Sequence, residues 1–256
     1  MGGGRRKRCF SLASLALWSL SAAKNISVLP IPASGNASLT HYDLPLGALA
    51  SCGCSTNSSY YPTAALSQAA YGSSLAAGPG CGQCFNLTLV QTYGASPEWV
   101  LSEEERVSVV VKITDKCPAP SLYDPDRTWC GATAKDPNKA GMYFHFDLAT
   151  PSPALPLSFF PTNSSYGYSD FGSWLIQFET TSCANWAGWS NQSALGLDSS
   201  LTAESGCCPA NPLIDNTTCR ATSLKVGAAA RVFARPDHRA FAVLLLLVVL
   251  GFAFIA

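Results

Sequence analysis

Residues 107–115 alternate between apolar and polar side chains, and this pattern constrains the fold more than any other part of the chain. The apolar side chains that share one face of the extended segment are Val107, Val109, Val111 and Ile113. A period of two is that of a β-strand with one buried face. By the same parity Asp115 lies on the apolar face, where the strand ends. Two interpretations of Asp115 stay open: it caps the following turn, or it takes part in catalysis.

A second segment, residues 144–148, delivers another carboxylate. Phe144 and Phe146 share one face of this predicted strand, while His145 and Asp147 share the other. If the two phenylalanines enter the core, His145 and Asp147 point together into a cleft. A neighbour that excludes water from this cleft favours the protonated carboxyl group that a general acid needs.

The loop between these two strands is flanked by cysteines and carries two further acids. Cys117 and Cys130 lie at its ends, and Asp124 and Asp126 lie within it. Acids on two strand ends and on the intervening loop are the residue types that a carboxylate-driven hydrolase needs. The segment therefore predicts a hydrolytic site.

The other periodic segments are short. Residues 39–43, 84–90 and 172–183 are predicted strands, and residues 62–72 are a predicted helix that Thr63 caps and Gly72 ends. Many short strands with one short helix indicate an all-β fold, most simply a small closed barrel. Trp186 follows the last strand in a polar loop. Its ring is either a platform for a sugar or a cover for the edge of the core.

Cysteines and glycosylation sequons predict a secreted protein. The chain has eleven cysteines, and Asn-X-Ser/Thr sequons stand at Asn25, Asn36, Asn57, Asn86, Asn163, Asn191 and Asn216. Residues 1–23 have the basic start, apolar run and small residues of a signal peptide. Its removal leaves an even number of cysteines, enough for five disulfides. We expect structural disulfides at Cys81 and Cys84 rather than a zinc or redox site.

The opposite end carries an apolar tail, residues 240–256, which is preceded by a small-residue and polar segment at 223–239. This arrangement is typical of a GPI-anchor signal whose tail is removed. The alternative is one short membrane-spanning helix, which would have no Lys or Arg beyond its far end. Residues 24–222 then form one catalytic domain with a disulfide-tied tail, tethered to the outer cell surface.

The balance of charge argues against nucleic acid as a partner. Lys and Arg number 16 and Asp and Glu also number 16, so no basic surface for nucleic acid is expected. We expect a monomer with no cofactor and no metal.

Six short motifs stand in a characteristic order along the chain. They are Thr-X-Tyr at 40–42, Cys-Gly-Gln-Cys-Phe at 81–85, Thr-Asp-Lys-Cys-Pro at 114–118, Trp-Cys-Gly at 129–131, His-Phe-Asp-Leu at 145–148 and Thr-Ser-Cys-Ala-Asn-Trp at 181–186. With them, residues 38–190 resemble glycoside hydrolase family 45, closest to its basidiomycete-type branch, which is similar to expansins. The resemblance implies a six-stranded double-psi β-barrel with disulfide-rich loops. It also implies an inverting endo-β-1,4-glucanase that acts on β-glucan.

The resemblance also assigns roles residue by residue. It makes Asp147 the general acid and Asp115 an assisting acid. The positions that it places in the substrate cleft are Thr40, Tyr42, His145 and Trp186.

The general base is the open assignment. In this branch the residue four before the Trp-Cys-Gly cysteine is often an asparagine, and here it is Asp126. Asp124 is the alternative, because the comparison with the branch implies a longer loop here. Asp43 is a weaker candidate near the Thr-X-Tyr motif. Acid and base carboxyl groups of an inverting glycosidase lie about 6.5–9.5 Å apart. We predict such a separation between Asp147 and either Asp126 or Asp124.

A non-hydrolytic, expansin-like protein that loosens cell walls or binds carbohydrate is the competing interpretation. Expansins share the Thr-Asp and His-Phe-Asp elements, lack the base and usually carry a second β-sandwich domain. The loop acids favour the enzyme. So does the short stretch between Trp189 and the proposed anchor site, in which we expect no second domain.

Overall fold

A computed structural model describes residues 28–74, 76–119, 128–156, 158–161, 172–195 and 206–219. Its strands are β1 (Ser34–Asp43), β2 (Thr63–Ser67), β3 (Cys84–Thr92), β4 (Ser108–Cys117), β5 (His145–Thr150) and β6 (Trp174–Thr181). Its short helices are α1 (Gln68–Tyr71), α2 (Gln192–Leu195) and α3 (Pro212–Asp215), with 3₁₀ turns at Thr56–Tyr60 and Cys183–Asn185.

The six strands close into one barrel in the order β1-β5-β2-β4-β3-β6. The pairs β1–β5 and β2–β4 are parallel, and the other four pairs are antiparallel. Strands of a parallel pair need long crossover connections, and two such pairs interlock in one small barrel. The predicted six-stranded double-psi β-barrel is confirmed.

The barrel is filled by side chains from alternate positions of its strands. Phe85, Phe146 and Phe178 contact one another edge-on or tilted, with ring centroids 5.3–6.0 Å apart. All three are almost fully buried, so the phenylalanine face of β5 enters the core as predicted. His145 and Asp147 consequently lie on the outer face of the barrel.

The predicted helix at residues 62–72 is wrong over its first half. Thr63–Ser67 is strand β2, and only Gln68–Tyr71 is helical. β2 lies between β4 and β5 and pairs with both, so tertiary pairing overrides the helix preference of its alanines. Gly72 ends the helix as predicted, with a left-handed φ of 80°.

A bulge in the β2–β4 ladder changes the direction of Asp115. Ala64 pairs with Ile113, but the next residue, Ala65, pairs with Asp115, so Thr114 is passed over. The extra residue turns Asp115 to the outer face with Ala65. The parity prediction that put Asp115 on the apolar face is wrong for this reason.

Ten cysteines form five disulfides, as the count predicted. The pairs are Cys52–Cys81, Cys54–Cys208, Cys84–Cys183, Cys117–Cys130 and Cys207–Cys219. Cys81 and Cys84 bond to different distant partners, so their motif is structural. Two of the bridges hold residues 206–219 against the barrel and against themselves, which is the predicted disulfide-tied tail.

Lys112 attaches this tail to the barrel wall. Its side chain is fully buried, and its ammonium group donates to the carbonyl oxygens of Gly82, Pro209 and Ala210 at 2.8–3.0 Å. Burial lowers the pKa of Lys112 from 10.5 to about 7. A buried cation of this kind makes the stability of the fold depend on pH.

We expect Lys112→Met to remove that dependence. Between pH 7 and pH 10.5 the unfolded chain holds a proton at Lys112 that the native protein has lost, so the free energy of unfolding rises with pH. The free energy of unfolding of the parent should rise relative to that of the variant, with a slope approaching about 1.4 kcal/mol per pH unit. Urea unfolding of both proteins at several pH values checks this, and parallel stability curves would contradict it.

Among the described residues, no helix has both the length and the apolar composition needed to cross a membrane. The proposed signal peptide and anchor tail lie outside the described residues.

Candidate active site

Four neighbouring strands present a row of residues on the outer face of the barrel. Thr40 of β1 pairs with Asp147 of β5, Asp147 pairs with Ala65 of β2, and Ala65 pairs with Asp115 of β4. Two strand spacings put the Cα atoms of the two acids about 10 Å apart. Ala65 is buried with Cys117 and Cys130, and Tyr42 packs against this cluster, so these groups lie between the two acids.

Asp147 is half-buried, and its two carboxyl oxygens have different neighbours. The Thr40 hydroxyl donates to Oδ1 at 2.6 Å. The Cys117 sulfur, bonded to Cys130, lies 4.0 Å from Oδ2. One oxygen of the carboxyl group is therefore fixed by a donor, and the other lies beside the disulfide that closes the acidic loop.

A chain of hydrogen bonds leads from the interior to Asp147. Asn138 Nδ2 donates to Ser38 Oγ at 2.7 Å, Ser38 Oγ lies 2.8 Å from His145 Nδ1, and His145 Nε2 lies 3.1 Å from Thr40 Oγ1. Two backbone N–H groups donate to Asn138 Oδ1, which fixes the orientation of its amide. In the assignment that gives each of these groups a partner, Ser38 donates to Nδ1, His145 carries its proton on Nε2 and donates it to Thr40, and Thr40 donates to Asp147.

Asp115 is engaged in a different way. Its Oδ2 accepts from the Tyr42 hydroxyl at 3.0 Å, and its Oδ1 accepts from the backbone N–H groups of Ser51 and Lys116 at 3.0 and 2.8 Å and from the Ser51 hydroxyl. These four donors occupy both carboxyl oxygens and leave Asp115 little capacity to activate water. This arrangement suits an assisting acid that positions Tyr42.

The Tyr42 hydroxyl keeps its proton, and so remains a hydrogen-bond donor, over the pH range in which proteins are stable. Burial, and then the negative charge of Asp115, raise the pKa of the Tyr42 hydroxyl far above its ordinary value, with a further contribution from Asp147. Tyr42 thus lies between the two acids as a neutral, oriented group.

Of the three candidate bases, only Asp43 lies within the described residues. Asp124 and Asp126 lie outside the described residues, so their predicted distances from Asp147 stay a prediction. The Cys117–Cys130 disulfide joins the two ends of their loop beside Asp147. Asp43 is exposed at the end of β1.

Within the described ranges, one group of side chains has the spacing of metal ligands. The sulfurs of Cys117 and Cys130 and a ring nitrogen of His145 lie within 4.8 Å of one another. Metals bind the thiolate, and both sulfurs are joined in a disulfide. The group therefore belongs to the hydrogen-bonded site rather than to a metal centre.

Trp186 is not part of the cleft. It is 2% exposed, its Nε1 donates to the Pro62 carbonyl at 2.7 Å, and it packs with Cys84 and Cys183. A ring with no exposed face cannot stack on a sugar. The predicted substrate-binding role is corrected in favour of the other interpretation, a cover for the edge of the core.

Trp129 is the aromatic residue that lies at the cleft instead. Its ring stacks on His145 with centroids 5.4 Å apart and an interplanar angle of 22°, and Lys139 Nζ lies 4.2 Å from its centroid. The Trp-Cys-Gly motif was the available sequence signal, because its cysteine closes the acidic loop. Ser38 and Asn138 had no comparable signal.

The sequence comparison decides the family. The model described as EXPB1-like domain 1 matches residues 37–188, more than half of the chain. The chain belongs to the EXPB1-like domain 1 family. The matched region contains Ser38, Thr40, Asp115, His145 and Asp147. No curated protein matches the chain.

Two endoglucanases are among the similar solved structures. The β-1,4-D-endoglucanase Cel45A of the blue mussel Mytilus edulis is 24% identical over 63% of this chain and 86% of its own, with a TM-score of 0.41. The GH45 endoglucanase EG27II, in complex with cellobiose, is 20% identical over 57% of this chain. For the structure of an EG27II mutant the TM-score is 0.43, and the match covers 80% of that chain. For the EG27II structure at pH 8.0 the TM-score is 0.38, and the match covers 79% of that chain.

Membership of the EXPB1-like domain 1 family confirms the expansin-like side of the resemblance. The basidiomycete-type branch of glycoside hydrolase family 45 stays a prediction. The family match alone does not distinguish an enzyme from a wall-loosening protein, so that distinction depends on the acids of the cleft.

The two tryptophans should respond oppositely to truncation. Trp186→Ala removes a buried ring and should cost about 3–5 kcal/mol of unfolding free energy, with no change in affinity for soluble β-glucan, the polymer that the resemblance implies. Trp129→Ala should weaken this affinity with a smaller loss of stability, because the ring is half-buried. Thermal melts and binding isotherms of both folded variants check this. Weaker binding in Trp186→Ala alone would contradict the assignment.

Proposed function

We propose that the protein is an endo-β-1,4-glucanase that hydrolyses β-glucan by an inverting mechanism with two carboxyl groups. The observation that carries the proposal is the placement of Asp147. Its Oδ1 accepts from Thr40, while its Oδ2 lies beside the disulfide-closed loop that contains two further acids. Asp147 takes the role of general acid and protonates the glycosidic oxygen.

The general base comes from the acidic loop in this proposal. The carboxylate of Asp126, or else that of Asp124, activates a water molecule on the ring face opposite to Asp147. Asp115 is a poor base, because its oxygens accept four hydrogen bonds, so its role is to hold Tyr42 against the substrate. Asp43 is the remaining alternative for the base.

The surface offered to substrate is formed by the groups that cover Ala65. Ala65 is buried with the Cys117–Cys130 disulfide, and Tyr42 and Trp129 pack against this cluster. Thr40 and Tyr42 hold the two acids, and Trp129 offers an aromatic wall. His145 is fully buried, so its predicted contact with substrate is corrected to a hydrogen bond that holds Thr40. No cofactor takes part in the proposed reaction.

The second candidate is a non-hydrolytic, expansin-like protein, which the match to EXPB1-like domain 1 favours. Purified protein incubated with carboxymethyl cellulose and with mixed-linkage β-glucan distinguishes the two. A linear release of reducing ends together with falling viscosity supports the glucanase. If well-folded protein binds these glucans and releases no reducing ends, the glucanase proposal is wrong.

We further propose that the protein is secreted as a monomer and tethered to the outer cell surface by a GPI anchor. The apolar terminal segments and the five disulfides support this. A phospholipase that cleaves GPI anchors should release the protein from cells. Retention after this treatment would favour a membrane-spanning helix.

A further inference from the structure

Two of the glycosylation sequons lie on the same side of the barrel. Asn36 is exposed on β1 and pairs with Gln177 of β6, while Asn86 is half-buried on β3 and pairs with Glu179 of β6. The two asparagines therefore flank β6 from its two neighbouring strands, at positions only two residues apart along it.

A polar groove runs between these two asparagines. It has a volume of about 350 Å³ and is lined by Ser34, Asn36, Asn86, Thr88, Gln177 and Glu179. Amide, hydroxyl and carboxylate groups are the partners that the hydroxyl and acetamide groups of a sugar bind through hydrogen bonds. A sugar attached at either asparagine would lie in a groove that already offers such partners.

The strand that the two asparagines flank lies across the barrel from the centre of the acid row. In the closed order β1-β5-β2-β4-β3-β6, β6 lies opposite β2, and Ala65 of β2 is at the centre of the acid row. Asn36 itself is on β1, four residues before Thr40 of that row, so its glycan would start about 13 Å from Thr40 along the strand.

The asparagine of another sequon, Asn191, makes hydrogen bonds within the fold. Asn191 Nδ2 donates to the Tyr61 hydroxyl at 2.8 Å, and its Oδ1 accepts from the backbone N–H groups of Ser193 and Ala194 at the start of α2. A sugar on this amide nitrogen would disturb the contact with Tyr61 and the cap of the helix.

We propose that Asn36 and Asn86 carry N-linked glycans that cover the β1–β6–β3 face, and that Asn191 stays unmodified. The donor is a lipid-linked oligosaccharide pyrophosphate of the secretory pathway. The asparagine Nδ2 forms a bond to the anomeric carbon of this donor and loses one proton, and the bond from that carbon to the pyrophosphate oxygen breaks. The five disulfides place the fold in a compartment where this donor is present.

The test is glycan mapping of the full-length protein made in a eukaryotic secretory host. Peptide N-glycosidase treatment in heavy-oxygen water should label Asn36 and Asn86 and leave Asn191 unlabelled. Asn36→Gln and Asn86→Gln should each lower the mass by one glycan, while the matched control Asn191→Gln should leave the glycan mass unchanged. Absence of label at Asn36 or Asn86, or label at Asn191, overturns the proposal.

A second readout checks whether the glycans lie in the groove. Complete removal of the glycans from the native protein should lower its melting temperature, because the groove loses its occupant. An unchanged melting temperature would overturn the claim that the groove holds a sugar. Mapping is independent of hydrolysis, so a protein that fails to cut glucan still gives a decisive glycan result.

Discussion

Replacing Asp147 by asparagine is expected to lower kcat on soluble β-glucan by about 10²–10⁴-fold, the usual contribution of a general acid. Asparagine keeps the size of the side chain, and its amide oxygen still accepts the 2.6 Å hydrogen bond from Thr40. The variant should therefore fold like the parent and bind glucan with similar affinity. Initial rates with mixed-linkage and carboxymethyl glucans measure the loss, and circular dichroism and thermal melts confirm the fold.

A matched control is an exposed acid away from the cleft. Asp215 lies at the end of α3 on the disulfide-tied tail and is exposed. Asp215→Asn should keep the parent rate. If Asp147→Asn retains the rate of the parent while Asp215→Asn does too, Asp147 is not the acid and the proposed mechanism is wrong.

The second large effect is expected from the base. Asp126→Asn should also lower kcat by about 10²–10⁴-fold. It should further flatten the acidic limb of the pH dependence of kcat/KM, since that limb reports protonation of the base in the free enzyme. Asp147→Asn should instead flatten the alkaline limb. These opposite changes separate a base from an acid even when the two rate losses are equal.

Companion variants locate the base among the three candidates. Asp124→Asn and Asp43→Asn should keep most of the activity if Asp126 is the base. A loss confined to Asp124→Asn moves the base by two residues within the same disulfide-closed loop. A loss confined to Asp43→Asn moves it to the end of β1, and full activity in all three variants contradicts a carboxylate base at these positions.

Local periodicity carried much of the prediction of the fold. The alternation in β4 and β5 gave both strands their inward faces, and for β5 it placed His145 and Asp147 together on the outside. The even number of cysteines left after the signal peptide predicted five disulfides. The alternation depends on neighbours along the chain, and the number of disulfides depends on composition, so the sequence alone predicts both.

Long-range pairing decided what sequence periodicity missed. The alanines of β2 favour a helix locally, yet they form a strand because they pair with both β4 and β5. The direction of Asp115 depends on a bulge that exists only where β2 and β4 meet. The chain from Asn138 through Ser38 to His145 joins residues about 100 positions apart, and no local pattern records such contacts.

Trp186 illustrates the same limit at a single side chain. Its polar Gly and Asn neighbours suggest an exposed platform, but the Pro62 carbonyl and the Cys84–Cys183 bridge bury its ring. Trp129 has a less suggestive surrounding sequence and lies at the cleft because the Cys117–Cys130 disulfide and His145 hold it there.

The anomeric configuration of the first product tests the central claim most directly. Proton NMR during the first minutes of mixed-linkage β-glucan hydrolysis resolves the α and β signals of the new reducing ends. The two-carboxylate inverting mechanism predicts that the α-anomer appears first and then mutarotates toward equilibrium. A β-anomer that appears first, or well-folded protein that forms no new reducing ends, would contradict it.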